Sequence, residues 1–488
     1  MEIALERNTI ASFKTLGEQK TACSLSADAV VPDTQQDILR IVSADYCYRI
    51  RSKDIDLGKL VIRGDVDVAV SYVPDGGEGC CIIRLSIPYV ADFGVPDADG
   101  SCESVCSMRI AACDVSLLNP RKIAVSAELE ISAQCYKPCE CSWYSSPVER
   151  PRLTFFREQS EQARFIKRVS EKSFVFEESY TPQRTAKPAM LISAVHSYGV
   201  ESTEHVANKL VARIRGTTEL IYSDEQNRLF AESFSSVFSQ LFELPECGEN
   251  AEFSITIVPS GEYCELSEDR FRVELHAVAQ LVCSDTEAVI YIADAYSCCD
   301  DLALDFEDIP IQLTCGVENT TDNINLRYEA QQSVAEVIST RARVGRIAAD
   351  AAGTSVQVCA DLVFADSDGE IRSCRVRGTY ETELICAAAL VEEASAAAAG
   401  NGIDVHIVLR LGCCTQNVKD IRCVRAVSSE PCECGKKQPA VILRRADGDD
   451  MWDIAKMYRS DIAAINRING IDDGESAAGR LLLIPRLK

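Results

Sequence analysis

The sequence repeats itself over long distances. Residues 32–72 and 182–222 correspond without a gap, so that Lys59-Leu60-Val61 aligns with Lys209-Leu210-Val211. A third, shorter match relates QQDILRIVS, residues 35–43, to QQSVAEVIS, residues 331–339. Solenoid repeats are only about 20–50 residues long. The sequence therefore predicts tandem copies of a whole domain, each with a core of its own.

Alternating apolar residues fill each copy. The run KLVIRGDVDVAVSYV, residues 59–73, has an apolar residue at nearly every second position, which is typical of a half-buried strand. A Pro-Asp-Gly-Gly turn at 74–77 and the apolar run at 80–90 complete a predicted hairpin. Similar runs lie at 122–135, 209–222, 270–283, 354–371 and 403–414. The pattern predicts a mainly β protein made of three tandem antiparallel, sandwich-like repeat domains.

The composition of the chain indicates where the domains end. We place the repeats at 1–145, 146–290 and 291–430, the third being the most diverged. A short helix is expected near residues 35–43 and their counterparts, and the alanine-rich stretch 387–400 is interpreted as an inserted helix or loop. The polar segment 431–439 contains two prolines and is interpreted as a linker.

The last segment, 440–488, has a different period and is predicted to be a small α+β domain of βααβ order. A strand at 441–443 precedes a helix at 450–458, whose buried face would carry Met451, Ile454, Ala455 and Tyr458. Ser460 or Asp461 would cap a second helix that ends at Asn469-Gly470. The run 481–484 would be the closing strand, stopped by Pro485.

The net charge of the chain argues against some classes of binding partner. The formal net charge is −25, and an acidic surface repels nucleic acid and anionic lipid. No apolar run approaches the roughly 20 residues that a membrane-spanning helix needs. The N-terminal residues also lack the apolar core of a secretory signal. We therefore expect a cytoplasmic protein that neither binds nucleic acid nor inserts into a membrane.

The 24 cysteines and four histidines form no recognisable catalytic or metal-binding motif. The clusters Cys135/Cys139/Cys141 and Cys432/Cys434 were considered as zinc ligands, but no histidine lies nearby and paired knuckles are missing. Free thiols are the expected state in a reducing compartment. The acidic run 366–370 is too short for a calcium-binding EF-hand and lies where a hairpin turn is needed. We expect no enzymatic activity, no metal and no cofactor.

The C-terminal segment resembles a LysM domain. The matches are Gly448-Asp449, MWDIAKMY at 451–458, INRINGI at 465–471 and GRLLLIP at 479–485. The resemblance implies a shallow groove of the kind that binds N-acetylglucosamine glycans. Its walls would be formed by Asp447, Gly448, Asp449, Asp450, Met451, Trp452, Asn469, Gly470, Ile471, Asp472 and Asp473.

Two positions of this segment stand out. Trp452 is predicted to lie toward the edge of the helix, where it would either be a binding hot spot or cover the small core. Arg459 departs from the family, which usually has a small residue or an Asn-Gly-like turn there. The departure is expected to alter the surface beside the second helix without affecting the fold.

The upstream copies resemble the repeat domain of clostridial spore-coat proteins, known as DUF3794 or the SPOCS domain. The resemblance is carried by VPDTQQDILRIVSAD at 31–45, KLVIRG at 59–64 and PRKIAVSAELEI at 120–131. Several such repeats followed by one LysM domain is the layout of a clostridial spore-coat morphogenetic protein.

The resemblance implies a non-enzymatic scaffold in the mother cell. Its LysM domain would bind the coat morphogenetic ATPase and so tether the coat to the forespore surface. One alternative is a cell-wall protein whose LysM domain binds peptidoglycan, although the expected lack of an export signal argues against it. An enzyme with an unrecognised site is the third interpretation.

Overall fold

The computed structural model describes residues 1–77, 79–184, 187–244, 247–248, 251–312, 316–386, 388–415, 418–432, 441–446, 450–472 and 478–486. In this part of the chain the protein is mainly β, with several separate antiparallel sheets and a small α+β unit at the C-terminus. The predicted fold class is therefore confirmed. Neither of the two helices found in the described residues could cross a membrane.

Repeat 1 has one three-stranded antiparallel sheet of its own and contributes four strands to a nine-stranded sheet that it shares with repeats 2 and 3. Its strands are β1 (Glu2–Ile3), β2 (Leu5–Val30), β3 (Ile38–Asp56), β4 (Lys59–Pro74), β5 (Cys81–Gly94), β6 (Glu103–Asn119) and β7 (Lys122–Pro147). One sheet has the order β3-β4-β5 and the other contains β2-β7-β6. The alternating residues Leu60, Ile62 and Val66 of β4 are fully buried in the core. Burial of each such side chain contributes about 1.5–3 kcal/mol.

Repeat 2 has the same arrangement of two sheets. Its strands are β8 (Thr154–Tyr180), β9 (Pro188–Val206), β10 (Lys209–Asp224), β11 (Leu229–Glu243), β12 (Glu252–Ser267) and β13 (Arg270–Ser297). The order β9-β10-β11 matches β3-β4-β5, and β8-β13-β12 matches β2-β7-β6. The sequence correspondence between the first two copies is therefore also a correspondence of strands.

Repeat 3 is described as eight strands. Its strands are β14 (Asp300–Gln312), β15 (Gly316–Glu329), β16 (Val334–Asp350), β17 (Gly353–Asp366), β18 (Ile371–Thr382), β19 (Ala388–Ala399), β20 (Gly402–Thr415) and β21 (Val418–Pro431). Residues 313–315 and 416–417, which separate β14 from β15 and β20 from β21, lie outside the described residues. Strands β16-β17-β18 form one sheet and β15-β20-β19 the other. The pair β14-β21 belongs to the same nine-stranded sheet as β2 and β8, and there β21 also pairs with β1.

Corresponding segments of the three repeats meet at one centre, which we call the three-repeat junction. Val42 and Ile192 occupy equivalent positions and are buried together with their half-buried counterpart Ile338. Beside them, the guanidinium of Arg341 binds the Asp45 carboxylate at 2.7 Å. It also donates to the main-chain carbonyl of Glu219 at 3.1 Å. One residue from each repeat therefore takes part in this polar contact.

Two predictions about local structure are wrong. The segments 38–43 and 334–339 belong to strands β3 and β16 instead of helices, because their backbones pair with β4 and β17. The alanine-rich stretch forms strand β19, which pairs with β20 along its whole length. Tertiary pairing overrides the helix propensity of alanine here. The predicted boundaries at 145 and 290 fall inside strands β7 and β13.

The C-terminal unit has the predicted βααβ order. Its elements are β22 (Val441–Arg445), α1 (Met451–Tyr458), α2 (Ile462–Asn469) and β23 (Leu481–Pro485). The two strands pair antiparallel, and Asp461 caps α2 by accepting from the Ala463 amide. Ile465, Leu482 and Ile484 are fully buried in its core. We call residues 441–446, 450–472 and 478–486 the C-terminal module.

Candidate functional site

The structure describes seven of the eleven predicted groove residues. Asp447, Gly448, Asp449 and Asp473 lie outside the described residues. The other seven belong to two separate groups, namely residues 450–452 at the start of α1 and residues 469–472 at the end of α2.

The first predicted wall faces repeat 2. Asp450 caps α1 by accepting from the Trp452 amide at 3.1 Å, and its second oxygen binds Arg157 of β8 at 2.8 Å. Met451 is half-buried against the core of the module. One carboxylate oxygen of Asp450 therefore bonds within the module, and the other bonds to repeat 2.

Trp452 is buried, which favours the second of the two alternatives, that it covers the small core. Only 8% of it is accessible, because Tyr296 of β13 packs edge-on against the indole with ring centroids 4.9 Å apart. The indole N–H donates to the carboxylate of Asp294 at 2.8 Å. The residue covers the core of the module and also joins the module to repeat 2. Its role in binding a partner stays a prediction.

Further contacts extend this attachment, which we call the module dock. Lys456 Nζ lies 2.6 Å from Asp294 Oδ1, and the Tyr296 hydroxyl donates to the Ser460 carbonyl at 2.9 Å. Burial raises the pKa of Tyr296 above its ordinary range, which keeps the phenol protonated as a donor. Aromatic contact, hydrogen bonds and charge pairing all act at the same place, so the dock fixes the orientation of α1.

Arg459 gives a structural reason for the departure from the LysM pattern. It lies at the C-cap of α1 with φ at 52°, a left-handed conformation that favours glycine or asparagine. Its guanidinium pairs with Asp301 of β14. The substituted position therefore contributes to the dock, although the contact is largely exposed on the Asp301 side.

The second predicted wall supports the fold of the module. The Asn469 side-chain amide donates to the Leu483 carbonyl at 2.7 Å, and its oxygen accepts from the Leu483 amide at 2.8 Å. Gly470 provides the left-handed C-cap of α2 and Ile471 is buried. Gly470 and Asp472 are exposed. The polar groups of Asn469 therefore pair with the backbone of β23.

An apolar surface lies on the other side of the two-stranded sheet, and we call it the outer strand face. Alternation points Ile442, Leu482 and Ile484 inward and leaves their neighbours outside. Large side chains are exposed there by between 42% and 61%, namely Val441, Leu443, Leu481 and Leu483. Exposed apolar patches of this kind are typical of protein–protein contact sites.

A cavity of about 1940 Å³ lies between the three repeats. It is lined by Glu262, whose pKa burial raises to about 7, and by Tyr198, whose hydroxyl donates to Glu262 at 3.2 Å. Arg341 and Asp45 of the three-repeat junction also line it. Tyr198 bonds to Glu262, and Arg341 bonds to Asp45 across two repeats. The cavity wall is therefore part of the interface between repeats.

The histidines have structural partners. Burial lowers the pKa of His196 to about 4, and its Nδ1 lies 2.9 Å from the Thr218 hydroxyl. His276 Nε2 lies 2.7 Å from a Glu274 oxygen. His406 contacts the Asn325 side chain, and His205 packs edge-on against Phe253. None of these four arrangements joins a histidine to a serine or cysteine nucleophile.

The cysteine clusters that the sequence offers as alternatives to free thiols can be located in part. Within the described ranges, no group of three or more His, Cys, Asp or Glu residues could hold a metal ion. Cys139 Sγ instead lies 3.4 Å from the Ser12 hydroxyl, and Cys434 lies outside the described residues. The acidic residue Asp366 accepts from the amides of Asp368 and Glu370 and so closes its own hairpin turn.

No family model, curated protein or solved structure matches the chain. Sequence reasoning did not identify the side of the dock that belongs to the repeats, namely Arg157, Asp294, Tyr296 and Asp301. One signal was present. Asp294 and Tyr296 carry polar groups and lie at the end of the apolar run 288–296. This run follows the alternating part of β13, residues 270–283, from which the strand was predicted.

Proposed function

We propose that the chain is a non-enzymatic adaptor of spore-coat assembly. Its C-terminal module, a LysM domain by resemblance, binds the coat morphogenetic ATPase in the mother-cell cytoplasm. The repeats tether that contact at the forespore surface. The sequence resemblances to SPOCS and LysM domains supply the identity of this partner, and the geometry of the module indicates the surface that it uses.

The outer strand face carries this proposal. The dock covers the first turn of α1, where Trp452 is 8% exposed, whereas Leu443 and Leu481 are 59% and 61% exposed on the sheet. A protein partner gains binding free energy by burying such side chains, at roughly 25 cal/mol per Å². A glycan would instead need hydrogen-bonding groups and an open aromatic platform, and the indole of Trp452 is occupied by Tyr296 and Asp294.

The fixed orientation of the module also supports a tethering role. Asp294 and Tyr296 hold α1 against repeat 2 through hydrogen bonds and an aromatic contact. A rigid attachment positions the outer strand face relative to the repeats, so a bound partner would be held at a defined place. Adaptors gain affinity from such preorganisation because less motion is lost on binding.

Binding of the full chain to the purified ATPase and to N-acetylglucosamine oligosaccharides, measured in parallel, tests the proposal. The double variant Leu443→Ser/Leu481→Ser is expected to weaken ATPase binding by tenfold or more. The matched control is Val90→Ser, which changes a side chain that is 58% exposed on β5 and should leave affinity unchanged.

Each outcome has a distinct meaning. ATPase binding that is lost only in the double variant would support both the partner and the surface. Equal ATPase binding by the unaltered protein, the double variant and Val90→Ser would support the adaptor role but exclude the outer strand face as the contact surface. Binding of oligosaccharide without ATPase would replace the proposal with the cell-wall alternative.

A further inference from the structure

Two of the repeats hold a pair of cysteine sulfurs in contact. In repeat 2, Cys247 Sγ lies 2.7 Å from Cys283 Sγ. In repeat 3, Cys386 Sγ lies 3.2 Å from Cys413 Sγ. Both pairs join the segment that follows the third strand of one sheet, β11 or β18, to the late strand of the other sheet, β13 or β20. The same contact is therefore built twice at corresponding places.

Repeat 1 has a related pair. Cys102 follows β5 and Cys135 lies in β7, and both side chains are buried. Burial raises the pKa of Cys135, and the charge of Cys102 raises it further. A cysteine on the connecting segment therefore faces a cysteine on the late strand in each of the three repeats. Recurrence at three places is not expected from the use of cysteine as a mere apolar filler.

The accessibility of the two sulfurs differs within each contacting pair. Cys283 is completely buried and Cys386 is 2% exposed, whereas Cys247 and Cys413 are of intermediate exposure. One cysteine of each pair is therefore accessible to a reagent in solution, and the other is buried next to it. This is the arrangement of an attacking and a resolving thiol.

We propose that Cys247–Cys283 and Cys386–Cys413 are oxidation sites that form intramolecular disulfides, with a small-molecule disulfide as the oxidant. In the first step the thiolate of the accessible cysteine attacks the oxidant, forms a mixed disulfide and releases one small thiol. In the second step the buried thiolate attacks the protein sulfur of that mixed disulfide and releases the second small thiol. Two protein thiols lose two electrons and two protons, and the oxidant becomes two thiols.

Geometry and thiol chemistry set the speed of the reaction. A disulfide bond is about 2.05 Å long, so each pair needs to approach by only about 1 Å. Burial, together with the neighbouring Cys413, raises the pKa of Cys386 to about 11, and burial also raises the pKa of Cys283. Thiolates are therefore scarce at neutral pH. The second step should accelerate about tenfold per pH unit between pH 7 and 9.

Each bond would tie the two sheets of its repeat together. Cys247 and Cys283 are 36 residues apart, and Cys386 and Cys413 are 27 residues apart. Cys247 and Cys386 would be fixed to the late strands β13 and β20, which restricts the opening of each sandwich. The modification therefore converts a reduced, more deformable scaffold into a covalently closed one.

Oxidation of the full chain with glutathione disulfide, followed by tryptic digestion and mass spectrometry without reduction, tests this proposal. The digest places Cys386 alone in 378–410 and Cys413 with Cys414 in 411–419. It also places Cys247 with Cys264 in 229–270, and Cys283 with Cys298, Cys299 and Cys315 in 273–327. We expect both pairs of peptides to be linked, each with the loss of two hydrogen atoms.

Single variants decide which sulfurs are joined. Cys413→Ser should abolish the link between 378–410 and 411–419, and Cys247→Ser should abolish the link between 229–270 and 273–327. Cys264→Ser and Cys359→Ser are matched controls on half-buried cysteines and should retain both links. Stable glutathione adducts on Cys247 and Cys413 without a protein–protein link would overturn the proposal, and so would links that survive Cys413→Ser and Cys247→Ser.

Discussion

Replacement of Asp294 by alanine should loosen the attachment of the C-terminal module. This carboxylate accepts from the Trp452 indole at 2.8 Å and pairs with Lys456 at 2.6 Å. Asp294 belongs to β13 of repeat 2, so its removal leaves the interior of the module unchanged. The substitution therefore tests the dock separately from the fold of the module.

The expected magnitude follows from these two contacts. A hydrogen bond to a charged group contributes about 1.5–3 kcal/mol. The Lys456 pair is worth only about 0.2–1 kcal/mol, since the Lys456 side chain is 42% exposed. Together they give about 2–4 kcal/mol. At about 1.4 kcal/mol per tenfold change, the ratio of docked to undocked molecules should fall roughly 30- to 700-fold.

Hydrogen exchange of the α1 segment 451–458 measures this ratio, because local opening limits exchange of protected amides. The rate should rise by the same factor in Asp294→Ala. A second readout is the emission of Trp452 in a Trp143→Phe background, since the chain has two tryptophans. Its emission maximum should move to longer wavelength as the indole becomes exposed to water.

Asp301→Ala is the matched control, because it removes the pair with Arg459, in which the Asp301 side chain is 59% exposed. That change should alter exchange by less than about fivefold, consistent with an exposed ion pair. Exchange and emission that are the same in Asp294→Ala as in the unaltered protein would refute the reasoning. The buried position of Trp452 would then depend on the module core alone.

Three further substitutions have defined outcomes. Arg341→Ala should lower the free energy of unfolding by about 3–5 kcal/mol, measured by urea denaturation, because Asp45 keeps a buried charge without its partner. The pKa of Glu262, raised to about 7 by burial, means that the native state holds a proton that the unfolded state releases above about pH 4.3. Stability should therefore fall as pH rises from 5 to 7 by up to about 1.4 kcal/mol per unit, and Glu262→Gln should remove this slope in urea midpoints. Asn469→Ala should destabilise the module by about 2 kcal/mol, seen as faster exchange in β23, since the Leu483 amide and carbonyl lose their partner.

Controls for these substitutions are present in the same chain. Arg377→Ala removes an exposed inter-repeat pair with Asp114 and should cost less than about 1 kcal/mol. Asn466→Ala removes a side-chain oxygen that has no hydrogen-bond partner among the described residues, and it should leave exchange in β23 unchanged. An equal loss of stability in Arg377→Ala and Arg341→Ala would contradict the special role of the junction. If stability still falls with rising pH in Glu262→Gln, another titrating group is responsible for the slope.

The strands could be predicted because their alternation is long and regular. In β4 and β20 every second residue is buried, and the sheets found there follow the apolar positions directly. The order of elements in the C-terminal module was predictable for the same kind of reason. Asp461 and Gly470 are residues that cap helices by local chemistry, and the structure uses both in that way.

The remaining features depend on partners that are distant in sequence. The alanines of β19 favour a helix locally, and only their pairing with β20 makes them a strand. Trp452 is separated by 158 residues from Asp294, and no local pattern indicates that the two meet. The periodicity correctly places Ile454 and Ala455 in the module core, but it could not reveal what covers the neighbouring indole.

The three-repeat junction has a consequence for how the sequences of the three copies can diverge from one another. Asp45, Val195 and Arg341 occupy equivalent positions in the three copies, yet one is acidic, one apolar and one basic. A symmetric trimer of identical chains would place three like charges together at this point. Covalent linkage allows each copy to change alone, and opposite charges can then select one arrangement of the copies. Linkage also makes the association of the three copies independent of protein concentration.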